Sequence, residues 1–162
     1  MIQTKRLTLC RARPRDAEDM HKVFSDPRAM RYWSCLPFTD LAQTQAFLAE
    51  MAAADPAQSD DFIVHKDGCA IGKAGCWGQG EIGFIFHPDQ WGQGIASEAL
   101  SAVIPHIFAT LPIHRLTADV DPRNTASIHL LKKHGFTITG HAQATFQLGQ
   151  EWCDSTYLER RR

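Results

Sequence analysis

The stretch Glu81-Ile-Gly-Phe-Ile-Phe-His-Pro-Asp-Gln-Trp-Gly-Gln-Gly-Ile-Ala-Ser-Glu-Ala-Leu100 carries the reading of the fold. Glu81 to Phe86 is a short apolar run suited to a strand. From Gly94 to about Leu111 the period changes, and Ile95, Ala99, Val103, Ile107 and Leu111 recur every fourth residue, as on an amphipathic helix. The loop between them must turn sharply at Gly92 and Gly94. Backbone N–H groups at a helix start have no partner within the helix and carry partial positive charge. Glycines let a ligand approach that backbone closely, so the site suits a pyrophosphate, with a tight structural turn as the plain alternative. No Gly-Lys-[Ser/Thr] follows, which excludes a Walker loop, and Ser97 stands where a dinucleotide fingerprint has its third glycine. Pro105 falls inside the helix and is expected to kink or split it.

Outward from this segment, strands alternate with helices. Met1 to Leu7 reads as an opening strand, and Leu7 to Arg11 alternates as a strand should. Pro14-Arg15-Asp16 opens a helix to about Ser25, with Ala17, Met20, Val23 and Phe24 on its apolar side and Asp26-Pro27 ending it. A second helix follows Thr39-Asp40. An aromatic loop with Tyr32, Trp33 and Phe38 lies between them and can wall a pocket or join the core. Asp61–Lys66, Cys69–Trp77 and Glu81–Phe86 read as three strands, with Asp67-Gly68 a hairpin turn and Gly78-Gln79-Gly80 a second turn. Leu116–Val120 is the next strand. A helix runs from Asn124 or Thr125 to His134, with Lys132, Lys133 and His134 complementing its dipole and Gly135 closing it. Thr137–Ala144 and Trp152–Leu158 finish the chain. The order β-α-α-β-β-β-α-β-α-β-β gives an α/β class, a mixed sheet with helices on its faces, in one domain over residues 1–162.

Composition excludes several functions. Apolar residues are 44 % and charged residues 22 % of the chain, an ordinary globular balance. A net charge of −1 offers no general attraction to nucleic acid or anionic lipid, and Arg160–Arg162 reads as a solvated tail. No segment approaches the roughly 20 apolar residues that span a bilayer, and the N-terminus lacks an apolar signal region, so a cytoplasmic location is expected. The five cysteines contain no Cys-x-x-Cys, and no two of the eight histidines stand at i, i+4. Neither a disulfide framework nor a metal site is therefore expected.

Trp91-Gly92-Gln93-Gly94-Ile95-Ala96, with Glu98-Ala99-Leu100 behind it, resembles the acetyl-CoA pyrophosphate loop of the GNAT superfamily, and the tryptophan resembles its RimJ/RimL-type branch. Thr4-Lys5-Arg6-Leu7-Thr8-Leu9 is similar to that branch's first strand. Asn124-Thr-Ala-Ser127 through Lys133-His134-Gly135-Phe136 resembles its Asn-x-x-Ser…Lys-x-Gly-Phe helix, and Gly149-Gln-Glu-Trp152-Cys-Asp154 its closing hairpin. The resemblance implies a GNAT-like sheet of about seven strands, mostly antiparallel and splayed at the cofactor site, with about four helices. It implies an acetyl-CoA-dependent N-acetyltransferase acting on a primary amine, a protein N-terminus or a small molecule, as a monomer or homodimer. Backbone amides near Ile85, Phe86 and His87 would meet the pantetheine arm or the acetyl carbonyl. Trp91, Gly92, Gln93, Gly94, Ile95, Ala96 and Ser97 would form the pyrophosphate loop, and Asn124 would bond the cofactor from the far side.

Acetyl transfer needs a neutral amine, a polarised thioester carbonyl and a proton for the departing thiolate. Glu81 is the expected base by family match, with an exposed strand glutamate as the alternative and Asp119 less well placed. Many GNAT enzymes place a tyrosine where Leu131 stands here, so the proton donor passes to Ser127 or to solvent. RimL-type enzymes carry a catalytic glutamate where this chain has Phe146. A non-catalytic acyl-CoA-binding module and a nucleotide-binding regulatory domain are the rival readings.

Overall fold

The computed structural model describes residues 1–78 and 80–162; the expected turn at Gly78-Gln79-Gly80 includes Gln79, which lies outside them. One open sheet carries eight strands. They are β1 (Ile2–Gln3), β2 (Thr8–Cys10), β3 (Asp60–Lys66), β4 (Cys69–Trp77), β5 (Glu81–Phe86), β6 (Arg115–Val120), β7 (Thr137–Leu148) and β8 (Glu151–Arg161). Their spatial order is β1-β2-β3-β4-β5-β6-β8-β7, antiparallel throughout except for β5 against β6. Five α-helices accompany the sheet: α1 (Ala17–Phe24), α2 (Pro27–Met30), α3 (Leu41–Ala53), α4 (Ile95–Thr110) and α5 (Thr125–Lys133).

The strand and the helix beyond the expected count have local causes. Met1–Leu7 does not run as one strand, because the Thr4 N–H bonds the Leu7 carbonyl at 2.9 Å and folds the segment into a small hairpin. Asp26-Pro27 ends α1 but also starts α2, since the Asp26 side chain caps the Arg28 N–H at 2.8 Å and proline suits a first helical position. Pro105 does not split α4, which runs unbroken from Ile95 to Thr110. The carbonyl deprived of its partner belongs to Ser101 on the exposed side, while Val103, Ile104 and Ile107 are fully buried and hold the helix on the sheet.

Two apolar layers sandwich the sheet. On one face α4 and α5 bury Ile95, Leu100, Ile104, Ile107 and Leu131 against Leu9, Phe62, Ile82 and Phe86. On the other, α1 to α3 bury Met20, Phe24, Met30 and Leu48 against Ile63 and Ile85. Alternation along each strand produces this division. In β5, Ile82 and Phe86 belong to the first layer, and Ile85 to the second. Phe24 packs with Phe38 and Phe47 at centroid distances of 5.3 and 4.9 Å, so the Phe38 end of the aromatic loop is core.

Close approach of β4 to β5 requires Gly72, where an added Cβ would stand 2.7 Å from Phe86 Cδ1 and against the Ile85 carbonyl. Because the obstacle includes backbone, Gly72→Ala is expected to cost about 1–3 kcal/mol, measured by urea unfolding. A wild-type midpoint would show that β4 and β5 can separate freely there.

Candidate active site

Strands β5 and β6 form one parallel register pair, Glu81 with Thr117, supported by a bond from the Thr117 N–H to the Gly80 carbonyl at 2.8 Å. Beyond it they part, β5 held by β4 and β6 held by β8. Backbone polar groups along the parting edges are therefore free of sheet partners. The His87 N–H bonds the Ile71 carbonyl at 2.9 Å, which fixes the alternation along β5. Ile85, paired with Lys73, turns its N–H to β4 in the same way. Phe84 and Phe86 turn theirs to the gap. Of the three amides expected to meet a donor, Ile85 and His87 are thus engaged with β4, and Phe84 joins Phe86 in their place. The physical reason is the antiparallel ladder, in which only every second residue faces one neighbour.

After β5 a 3₁₀ turn, Pro88–Gln90, leads into the loop. His87 Nδ1 accepts the Asp89 N–H at 3.3 Å, Trp91 Nε1–H bonds the Phe86 carbonyl at 3.0 Å, and Gln93 Nε2–H bonds the Asp89 carbonyl at 2.6 Å. Gly92 and Gly94 sit at φ of +71° and +74°, which few other residues adopt. An added Cβ would meet nothing within 4 Å at Gly92 and only Arg6, at 3.6 Å, at Gly94. The loop backbone is therefore open to a ligand. Glu98 N–H is the first in α4 to bond back, to Gly94, at 2.9 Å. Ahead of it, the amides of Gly92 to Ser97 have no protein acceptor among the described residues. Ile95 is buried as the helix's anchor, and Ala96 and Ser97 are partly buried. This backbone fits a diphosphate.

Two residues hold the loop that sequence spacing did not reveal. Glu98 accepts from Thr4 Oγ1 at 2.6 Å, from the Arg6 N–H at 2.8 Å and from Arg6 Nε at 2.6 Å. Arg6 Nη1 also bonds the Gln93 carbonyl at 3.0 Å. Burial pushes the Glu98 carboxyl up, but these bonds outweigh it and hold its pKa below the usual glutamate value. The β1–β2 turn is thereby fastened to the first turn of α4. No short-range pattern links positions 92 residues apart.

Glu81 lies on the face of α1 to α3, together with Gly83 and Ile85, and keeps an open side to solvent. Asp119, two residues beyond Thr117 in β6, shares that face. Burial first, and then the negative charge of Asp119, raises the Glu81 carboxyl above its ordinary range. On the opposite face, Asn124 caps α5 by accepting the Ser127 N–H at 3.2 Å, which leaves the Asn124 amide N–H groups without a protein acceptor among the described residues. The Ser127 side chain is half-buried, and its hydroxyl also has no protein partner among them. Glu81 and Ser127 therefore lie on opposite faces of the sheet. Leu131 is fully buried beneath α5. The Arg31 and Arg123 guanidiniums lie over the Tyr32 ring at 5.1 and 5.9 Å from its centroid, and Trp33 covers the Lys73 ammonium at 5.3 Å.

Among the described residues no group of three or more His, Cys, Asp or Glu side chains is placed to hold a metal ion, and no helix is long and apolar enough to cross a membrane. The acetyltransferase (GNAT) domain family matches this chain over residues 6–137. An uncharacterized N-acetyltransferase of Bacillus licheniformis, p20, is 32% identical over 148 residues, which cover 86% of this chain and 83% of that protein. Two solved structures share the fold at 18% identity. The ribosomal L7/L12 alpha-N-protein acetyltransferase RimL, in complex with coenzyme A, gives a TM-score of 0.87 over 99% of this chain and 98% of its own. Spermidine N-acetyltransferase from Vibrio cholerae, in complex with CoA and spermine, gives 0.80 over 98% and 96%.

The coupling of the two carboxylates can be read without any ligand. Asp119→Asn removes a negative charge beside Glu81 and so favours the ionised form of Glu81. Its carboxyl titration, followed by carbon NMR, is expected to move to lower pH. An unmoved titration would show that burial alone sets the value.

Proposed function

This chain belongs to the GNAT acetyltransferase family, and on that premise we propose that it transfers the acetyl group of acetyl-CoA to the nitrogen of a primary amine. The carrying observation is the gap between β5 and β6, which opens on unpartnered loop amides at one face and on a raised carboxyl at the other. The amides of Gly92 to Ser97 hold the donor's pyrophosphate, helped by the partial positive charge of the α4 N-terminus. Phe84 and Phe86 present N–H groups to the pantetheine arm, with an Asn124 amide N–H opposite. Bound acetyl-CoA supplies a thioester carbon open to attack.

Acceptor and donor then reach the gap from opposite faces. A lysine-like amine has a reference pKa near ~10.4 and is mostly protonated at neutral pH. Glu81 takes its proton, directly or through water, and its raised pKa makes it a better acceptor of that proton than an ordinary glutamate. The nitrogen–carbon bond forms as the carbon–sulfur bond breaks, the acylated nitrogen releases its second proton to solvent, and the thiolate takes a proton from solvent, either directly or through Ser127, which solvent reprotonates. The Trp91–Ala96 loop and the Asn124–Ser127 helix start support placement in the RimJ/RimL-type branch. The acceptor is a protein N-terminus or a small-molecule amine, the two classes on which RimL and spermidine acetyltransferase act.

Titration with acetyl-CoA by calorimetry, followed by thiol release across a panel of N-terminal peptides and polyamines, tests the proposal. Binding with release from one class is expected. Binding without release from any amine would favour an acyl-CoA-binding module, and no binding would overturn the reading. Glu81→Gln should lower the rate about 10²–10⁴-fold and abolish the acid limb of its pH profile. Because the Glu81 pKa is raised, that limb in the wild type should lie above the ordinary glutamate range. Gly94→Val forces a branched residue into a left-handed backbone at about 1–3 kcal/mol, and the dissociation constant for acetyl-CoA should rise about tenfold or more. Unchanged affinity would remove the loop from the donor site.

A further inference from the structure

Strands β4 and β5 carry Gly72, Gly75 and Gly83, and packing accounts for the first two. An added Cβ would stand against the Ile85 carbonyl at Gly72, and against the backbone of Asp60 and Asp61 at Gly75. Gly83 is different. It pairs with Gly75, its φ lies outside the left-handed region, and an added Cβ there would meet nothing within 4 Å among the described residues. Neither backbone geometry nor crowding calls for glycine at this position. A glycine inside a strand loses more chain freedom on folding than other residues and packs no side chain, so it weakens the strand. Such a glycine often marks a place where a ligand approaches the backbone closely.

The empty space lies beside the parting strands. Gly83 stands on the face of α1 to α3, between Glu81 and Ile85 of β5, and is half-buried. Two residues on from the Glu81–Thr117 register pair are Gly83 in β5 and Asp119 in β6, at the level where the strands separate. The next N–H of β5 that turns to the gap belongs to Phe84. On this face the opening is therefore bordered by a bare Cα on one side and by Asp119 on the other, with Glu81 at its closed end.

We infer that Gly83 is a specificity-determining residue. Its missing side chain leaves the opening wide enough for a primary amine branched at the carbon that bears the nitrogen, the α-amino group of a peptide among them. The inference rests on acetyl transfer through this gap. The nitrogen passes beside Gly83 to reach the thioester carbon near the Phe84 N–H, with Glu81 placed to take its proton. The substituent on the neighbouring carbon occupies the volume that a side chain at position 83 would fill. An unbranched amine does not use that volume.

The test is thiol release by the wild type, Gly83→Ala and Gly83→Val with two pairs of amines. One pair is a glycyl and an alanyl tripeptide amide. The other is spermidine and its homologue methylated at the carbons beside both primary nitrogens. The wild type should turn over both members of a pair comparably. In the variants kcat/KM for the branched member should fall about tenfold or more relative to its unbranched partner, and further in Gly83→Val than in Gly83→Ala. The thermal midpoint of Gly83→Ala and its calorimetric affinity for CoA should stay at the wild-type values, since the added Cβ meets nothing. A wild type that rejects the branched amines, or variants that lose both members equally or neither, would overturn the role of Gly83 and leave acetyl transfer standing. A lowered midpoint or weakened CoA binding in Gly83→Ala would overturn it too, by showing that position 83 packs or meets the donor. A wild type that releases thiol with none of the four amines would instead overturn the transfer reading on which the inference rests.

Discussion

Strands β5 and β6 touch through one parallel register pair and then diverge, and the remaining architecture follows from where that contact stops. A continuous parallel ladder would engage the Phe84 and Phe86 amides and close the gap. The separation is maintained from outside. β4 holds β5 along its full length, and β8 holds β6 from Arg115 to Val120. Gly72 lets β4 press close at the far end of β5. β5 leads through the Gly92–Gly94 loop into α4, and β6 leads through the Asp121–Asn124 turn into α5.

The two faces of the sheet carry different groups beside β5. Backbone donors and basic side chains gather toward α4 and α5, where Arg6 neutralises Glu98 beside the loop. Glu81 and Asp119 stand together on the other face. Deeper on that face, the buried Asp61 and Lys73 form an ion pair at 2.7 Å beneath Trp33. Burial pushes the Asp61 carboxyl up despite the ammonium. Removing one partner of such a pair typically costs about 3–5 kcal/mol, so it fixes the floor on which the aromatic loop rests.

Periodicity alone located the middle of the molecule. The four-residue repeat from Ile95, the Asp67-Gly68 turn and the apolar run of Glu81–Phe86 are local signals, and each corresponds to the element seen. Asp26-Pro27 reads as a stop in the sequence, yet the same two residues serve as cap and first residue of the following helix. The bent N-terminus depended on one hydrogen bond between Thr4 and Leu7, which hydrophobic alternation does not encode. Pro105 was tolerated because burial of three neighbouring side chains outweighed one lost ladder bond.

Sequence by itself determined the strand–loop–helix unit, its glycines and the free amides of its first turn, because these follow from backbone geometry within a few residues. It also singled out Glu81 and Asn124–Ser127 through resemblance. Tertiary structure alone decided which amides of β5 face the gap, since that depends on the partner strand that engages the alternate ones. Likewise, the fastening of Arg6 to Glu98 and the effect of Asp119 on Glu81 arise between segments distant in the chain. Their energies are set by distances across the sheet and by exclusion of water, quantities that exist only once the chain has folded.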